Sequence, residues 1–161
     1  MSGTKAARRI QFVKETVQGT EVHAATGLWR GTGLLKDQRE IVYPNEDVGY
    51  AAQLNRRYTP KLFGGLTLDA VPATYEQLPY LFEMGVKKVA TGVADGDGSG
   101  KIYAYPFPTT APNANVLGTY SVQAGDEQEI QFATFAYAPT IRLAGKSGES
   151  VTMSADLNCR T

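Results

Sequence analysis

Across residues 151–157 every second residue is apolar: Val151, Met153, Ala155 and Leu157 alternate with Thr152, Ser154 and Asp156. A period of two puts the apolar set on one face of a β-strand and the polar set on the other, which a helix cannot do. The same texture recurs upstream. Residues 117–124, 129–137 and 140–144 read as strands, with 126–128 turning the first into the second and 145–148 turning the third back. Neighbours in such a run pair antiparallel. Residues 66–71 alternate Leu66, Leu68 and Ala70 with Thr67 and Asp69, and 101–107 adds a further strand among prolines. A first strand covers 9–15, and 17–25 continues it or forms a second strand after a turn at Gly19.

One segment breaks the pattern. Tyr75, Leu78, Leu81 and Phe82 recur at helical spacing, Thr74 with Gln77 has the spacing of a capping box, and Gly85 is a natural stop. A helix over about 74–84 follows. Pro79 would lie inside it, at a cost of about 3 kcal/mol. Either the first turn is kinked, or the regular helix begins near Pro79. The fold class expected is mainly β: a two-sheet antiparallel sandwich or half-barrel with one flanking helix, as a single domain over 1–161. The chain length suits one core, and 42% hydrophobic with 20% charged residues excludes a disordered composition.

Residues 1–8 read as an N-terminal arm. Residues 34–65 form a long basic segment, rich in glycine and proline and without a clear core face, and such segments are usually functional or partner-bound. Within it, 39–43 and 48–54 could be the arms of a long hairpin, with 44–47 as its turn. The formal net charge is zero, and no polycationic run is present to grip phosphates. Residues 1–61 carry ten basic and six acidic side chains, a net of +4, and 62–161 carry six and ten, a net of −4. Either chance or a head-to-tail attraction between copies accounts for that asymmetry. The single cysteine, Cys159, allows no internal disulfide and fits a reducing compartment. Residues 1–11 lack the apolar core of a secretory signal, and no stretch approaches the ~18 apolar residues of a membrane span, so a soluble protein made in a cytoplasm is expected, without a membrane partner.

Four stretches carry a family resemblance. They are Lys14-Glu15 through Gly19-Thr20 to Ala24-Ala25; Leu28-Trp29-Arg30-Gly31-Thr32-Gly33 followed by Pro44, Gly49 and Arg57; Ala73-Thr74-Tyr75-Glu76-Gln77-Leu78; and Gly118-Thr119-Tyr120 with Asp126-Glu127 and the run from Ala138 to Glu149. Together they resemble the major tail, or tail tube, proteins of siphophages. The resemblance implies a virion protein with no catalytic role, no cofactor and no metal. Six copies would form a ring, one sheet of each joining a shared barrel, and rings would stack into the phage tail tube. Its partners would be further copies, the tape measure protein, and terminator and baseplate proteins, with double-stranded DNA passing through unbound. The rings would stack through a long loop or hairpin, matched by residues 34–65, and through the terminal arms, so that Arg39, Tyr43, Arg56, Arg57 and Tyr58 lie at the contact between rings. Asp126, Glu127 and Glu129 are candidates for acidic positions near the lumen, or an ordinary solvated turn. Trp29 is a candidate anchor at a subunit contact, or a core tryptophan. Similar proteins often continue further, so the chain reads either as a short version or as the first domain of a longer one.

Other motifs read as structure. The 95–100 turn, Asp-Gly-Asp-Gly-Ser-Gly, has the glycine of a calcium loop, but its twelfth position is Pro106 where bidentate glutamate is needed. His23, the single histidine, has no local nucleophile or carboxylate set. Gly31-Thr32-Gly33 is a fragment of a dinucleotide fingerprint without its βαβ unit. The alternatives to a tube subunit are another phage ring protein (terminator, connector or baseplate hexamer) and a monomeric carbohydrate-binding sandwich using Tyr103, Tyr105 and Phe107.

Overall fold

The alternation at 151–157 belongs to the last strand in the computed structural model of the chain, which describes residues 8–23, 27–44, 56–88, 92–106, 116–126 and 128–160. In chain order the elements are β1 (Arg9–Lys14), β2 (Gly27–Trp29), β3 (Gly33–Asp37), β4 (Glu40–Val42), β5 (Tyr58–Lys61), β6 (Gly64–Pro72), α1 (Leu78–Gly85), β7 (Val93–Ala94), β8 (Lys101–Ile102), β9 (Tyr120–Gly125), β10 (Ile130–Ala144) and β11 (Thr152–Arg160). Seven strands make one antiparallel sheet in the order β2-β1-β9-β10-β11-β6-β3, and β4-β5 and β7-β8 are separate two-stranded ribbons. The protein is therefore mainly β, as its alternation requires.

The register explains the core. Leu35 faces Leu66, which faces Leu157, and Leu68 faces Ala155, which faces Ile141. These rows point inward, where Leu66, Leu68, Met153 and Leu157 are almost wholly buried with Phe12 and Val122. The alternate row, Leu34, Thr67, Asp156 and Thr140, points outward. The sheet bends on itself because β10 serves both halves. Its first part pairs with β9 and its second with β11, with shifts of register at 133–136 and 137–140. Pro139 falls at the second shift, where its missing N–H costs no ladder bond. This is why the strands expected at 129–137 and 140–144 are one.

The bend brings the two ends of the sheet face to face. Edge strands β2 and β3 are joined through residues 30–32. A Cβ at Gly33 would lie 2.6 Å from the Thr67 carbonyl oxygen and 2.8 Å from the Ile10 side chain, so β3 and β1 approach closely across the core. Among the described residues no ladder joins β2 to β3, and the result is a sandwich-like half-barrel with two open edges.

Helix α1 packs within the bend, its Leu81 and Met84 fully buried. It starts later than expected. Thr74 is not its cap: Gln77 holds that place without a side-chain cap bond, and Pro79 sits in the first turn. Residues 75–77 form a turn instead, and the Thr74 carbonyl accepts the amides of Gln77 (3.1 Å) and Leu78 (3.0 Å). The reason is proline's fixed φ and missing donor, which suit a first turn and not an interior. Gly85 closes the helix from within. Its role is close approach, since a Cβ there would lie 2.6 Å from Ile141 and 2.9 Å from the Ala138 carbonyl.

Four further expectations change. Residues 17–23 are a turn and an irregular stretch rather than a strand, laid across the sheet by Val22 N–H donating to Ser121 Oγ (3.2 Å), while Ala24 and Ala25 lie outside the described residues. The segment 34–65 is not a single loop, because residues 34–37 belong to β3 and 64–65 begin β6. Within it Glu40–Val42 pairs with Tyr58–Lys61, and the 48–54 arm of the expected hairpin lies outside the described residues. The strand expected at 101–107 shrinks to Lys101–Ile102, closed by a turn back to Val93–Ala94.

Candidate assembly surfaces

Among the described residues the β4-β5 ribbon has no core of its own. Every residue of β5 is exposed, and Ile41, Tyr43, Tyr58 and Leu62 stand in solvent at 46–55% exposure. A lone two-stranded hairpin is marginal in water, so its apolar side chains gain from a second surface. Three of the expected contact residues, Arg39, Tyr43 and Tyr58, are exposed on or beside it, and Arg56 and Arg57 lead into β5. Arg39 is anchored at its base: its Nε donates to Asp37 Oδ2 (2.5 Å) and its backbone N–H to Asp37 Oδ1 (3.1 Å). That hydrogen bond and the Asp37 charge raise the guanidinium's pKa.

At the other end of β6 lies an open aromatic groove of about 370 Å³, lined by Tyr75, Leu78, Pro79, Phe82, Lys101, Tyr103 and Tyr105. Tyr75 is 95% exposed. Sequence reasoning singled out Tyr103 and Tyr105 with Phe107 as a stacking platform, and missed Tyr75 and Phe82. Only the tertiary fold brings 75–82 beside 101–105. Phe107 lies outside the described residues. Tyr105 is not an open platform: its ring meets Phe82 edge-on at 5.4 Å, and its hydroxyl is buried with no hydrogen-bond partner among the described residues. Burial, with the nearby Glu83 charge, pushes its pKa up to about 12.

The other candidate residues have mainly structural surroundings. Trp29 is a core residue at 4% exposure, edge-on to Phe12 at 6.4 Å, so it offers no surface anchor. Asp126 caps its own turn. Its Oδ1 accepts the amides of Gln128 and Glu129, both at 2.9 Å, and the Glu129 and Gln128 amides hold its carboxyl below the usual range. Glu129 is exposed beside it and Glu127 lies outside the described residues. This turn borders a cleft of about 190 Å³ that also receives Arg8 and Arg9.

Two buried carboxylates, to which the sequence reading gave no structural role, hold the scaffold. Glu83 on α1 meets Lys14 Nζ of β1 at 2.6 Å and accepts the Tyr120 hydroxyl of β9 at 2.7 Å. Burial and that hydrogen bond raise the Tyr120 pKa well above its ordinary value. Glu15, 3% exposed, accepts Gly19 N–H (2.7 Å), Ser121 O–H (3.0 Å) and Phe135 N–H (2.8 Å). Phe135 lies at φ +54°, a left-handed conformation costly for an aromatic residue, at the first register shift of β10. Both carboxylates are engaged in packing contacts rather than aimed into a cleft. The 95–100 motif is the turn of the β7-β8 hairpin, with Asp95 N–H donating to Gly100 O at 3.0 Å. Among the described residues no three His, Cys, Asp or Glu side chains gather to hold a metal, and no helix is long and apolar enough to cross a membrane. Compared with known protein families, curated proteins and solved structures, the chain shows no match.

Proposed function

We propose that this chain is a non-enzymatic structural subunit that assembles with copies of itself, and specifically a tail tube protein of a long-tailed phage. The observation that carries the assembly reading is the β4-β5 ribbon, whose apolar residues stand exposed and meet no core among the described residues. The edges β2 and β3, unpaired among the described residues, support it, because an unpaired edge is a template for another strand. The mainly β half-barrel suits the architecture that the tail tube resemblance implies. On this reading rings of copies stack into the tube of the virion. Tape measure, terminator and baseplate proteins bind the assembly, and double-stranded DNA passes along the lumen without specific binding.

Electron microscopy of the purified protein tests the reading. Stacked rings or long hollow tubes are the expected result. A strictly monomeric protein in sedimentation at high concentration, also with tail assembly partners added, would refute it.

A further inference from the structure

At its middle β10 carries one residue more than either of its neighbours. Ala133 pairs with Val122 and Ala136 with Tyr120, so two residues of β10 face the single Ser121 of β9. On the other side Thr134 pairs with Arg160 and Tyr137 with Asn158, so two residues again face one, Cys159 of β11. Phe135 is the residue common to both. It lies at φ +54°, and its N–H donates to the buried Glu15 carboxylate at 2.8 Å instead of to a ladder carbonyl. A left-handed phenylalanine and a buried carboxylate both cost stability. The ring they place is 38% exposed, so core packing does not account for them. Bulges re-aim side chains, and backbone strain clusters at ligand sites.

Two more rings lie on this outer face. Tyr137 meets Phe135 edge-on at 6.2 Å, and Phe132, 37% exposed, meets His23 edge-on at 5.2 Å. The groups beside them are amides. Phe132 faces Gln123, which faces Gln11, along one outward row. Asn158 Nδ2 donates to the Tyr137 hydroxyl at 3.2 Å, which leaves that hydroxyl its own hydrogen to donate. Arg160, opposite Thr134, and Glu21, beside His23, border the face with one charge of each sign.

We infer that the outer face of β9 and β10, through Phe132, Phe135 and Tyr137 with Gln123 and Asn158, binds a neutral oligosaccharide. The C–H face of a pyranose packs on the negative face of an aromatic ring, and side-chain amides meet its hydroxyls as donor and acceptor at once. A nucleic acid would call for cations among the rings, and an apolar protein surface would leave the amides unpaired. From residue 132 to 137 the strand runs about 16 Å at ~3.3 Å per residue, which suits a short run of sugars. One chain carries the whole face, so sugar binding does not depend on the assembly proposed above.

The test screens the full chain on an array of neutral, sialylated and sulfated glycans, then titrates the strongest neutral oligosaccharide by calorimetry. Neutral glycans are expected to bind, and Phe135→Ala and Phe135→Gly each to weaken binding by about tenfold or more. Glycine accepts the left-handed backbone and alanine does not, so Phe135→Gly should unfold at higher urea than Phe135→Ala while losing binding equally. Affinity that instead follows stability across the two would mean a purely structural residue. Should both misfold, Phe132→Ala, at an ordinary strand position, is expected to give the same loss. A parent that binds no neutral glycan, or only charged ones, would overturn the assignment. So would unchanged affinity in folded Phe135 and Phe132 variants, or variants that lose self-association and keep glycan binding.

Discussion

Glu15 is the residue whose removal should most clearly separate the physical account from chance. Its carboxylate ties three distant pieces together: the 15–19 turn through Gly19 N–H, β9 through the Ser121 hydroxyl, and the left-handed residue of β10 through Phe135 N–H. In Glu15→Ala all three donors lose their acceptor. A hydrogen bond to a charged acceptor is worth about 1.5–3 kcal/mol, and a buried donor left unpaired costs a similar amount. The three do not count equally. Gly19 lies in a half-buried turn, where water replaces the carboxylate. The Ser121 oxygen still accepts Val22 N–H. The Phe135 amide, at a strained position inside the sheet, is the large loss. Removing a buried charge returns part of the total. The expected destabilisation is about 3 kcal/mol, relative to a total stability of about 5–15 kcal/mol for a domain.

Urea denaturation measures it, followed by fluorescence of Trp29, the single tryptophan and a core residue. With a slope of about 2 kcal/mol/M, the midpoint should fall by about 1.5 M. Glu15→Gln keeps one oxygen but sets an amide donor against a donor, so an intermediate loss of about 1–2 kcal/mol is expected. A Glu15→Ala midpoint within about 0.3 M of the parent, at unchanged slope, would refute the view that this carboxylate holds the β10 irregularity.

Removing the unpartnered hydroxyl in Tyr105→Phe should stabilise the protein by about 1 kcal/mol at pH 7 in the same assay, and a loss of stability would show that the hydroxyl has a partner. The neutral phenol is the form favoured in the folded state, so its share of stability is intact below pH 10 and is lost as pH rises toward 12; Tyr105→Phe should flatten that alkaline decline. Asp126 has the opposite sign: its depressed pKa makes its share present above the ordinary carboxylate range and lost as pH falls through the folded value. The stability gap between parent and Asp126→Asn should therefore shrink between pH 7 and pH 3, and a constant gap would count against the capping role. Gly85→Ala forces a methyl group against Ile141 and the Ala138 carbonyl, and should cost about 1–3 kcal/mol despite alanine's better helix propensity, while a gain in thermal midpoint would refute the close approach.

The parts of the fold legible in the sequence were those with one local period. β6 and β11 alternate cleanly because each buries one face and exposes the other, and both were placed to within a few residues. β10 was split in two because Pro139 reads as a strand breaker when nothing local shows that the ladder shifts register there. Thr74 and Gln77 have the spacing of a capping box, and the constraint that won was Pro79. The candidate surfaces were half legible. Composition marked Tyr43 and Tyr58 as belonging to an unusual segment, since a long stretch without a core face shows in one dimension. The groove did not show, because its walls come from a helix and a hairpin more than 15 residues apart. The tying role of Glu15 is not legible in the sequence, because two of its three partners are over 100 residues away.

On the proposed assembly reading, two kinds of contact between copies would lie along different directions, and that difference bears on what the copies can build. Strand addition at β2 or β3 extends a sheet across its strands, in the hydrogen-bonding direction, about 4.8 Å per strand. A contact through the ribbon, which leads into the start of β6, would extend along the strands instead. A chain with only the first contact would make a ring or a ribbon one copy deep, and a chain with only the second would make a single file. A tube needs both, and they need not share an origin in physical terms. Edge pairing rests on backbone hydrogen bonds, which salt hardly screens, while a contact proposed through the ribbon would bring in the exposed Arg57 and Lys61, whose long-range attraction weakens as the Debye length falls below about 10 Å. Raising salt should therefore slow stacking before it opens rings, leaving shorter tubes of unchanged diameter in micrographs. Tubes that instead unravel sideways at high salt would mean that charge, not strand pairing, holds the ring.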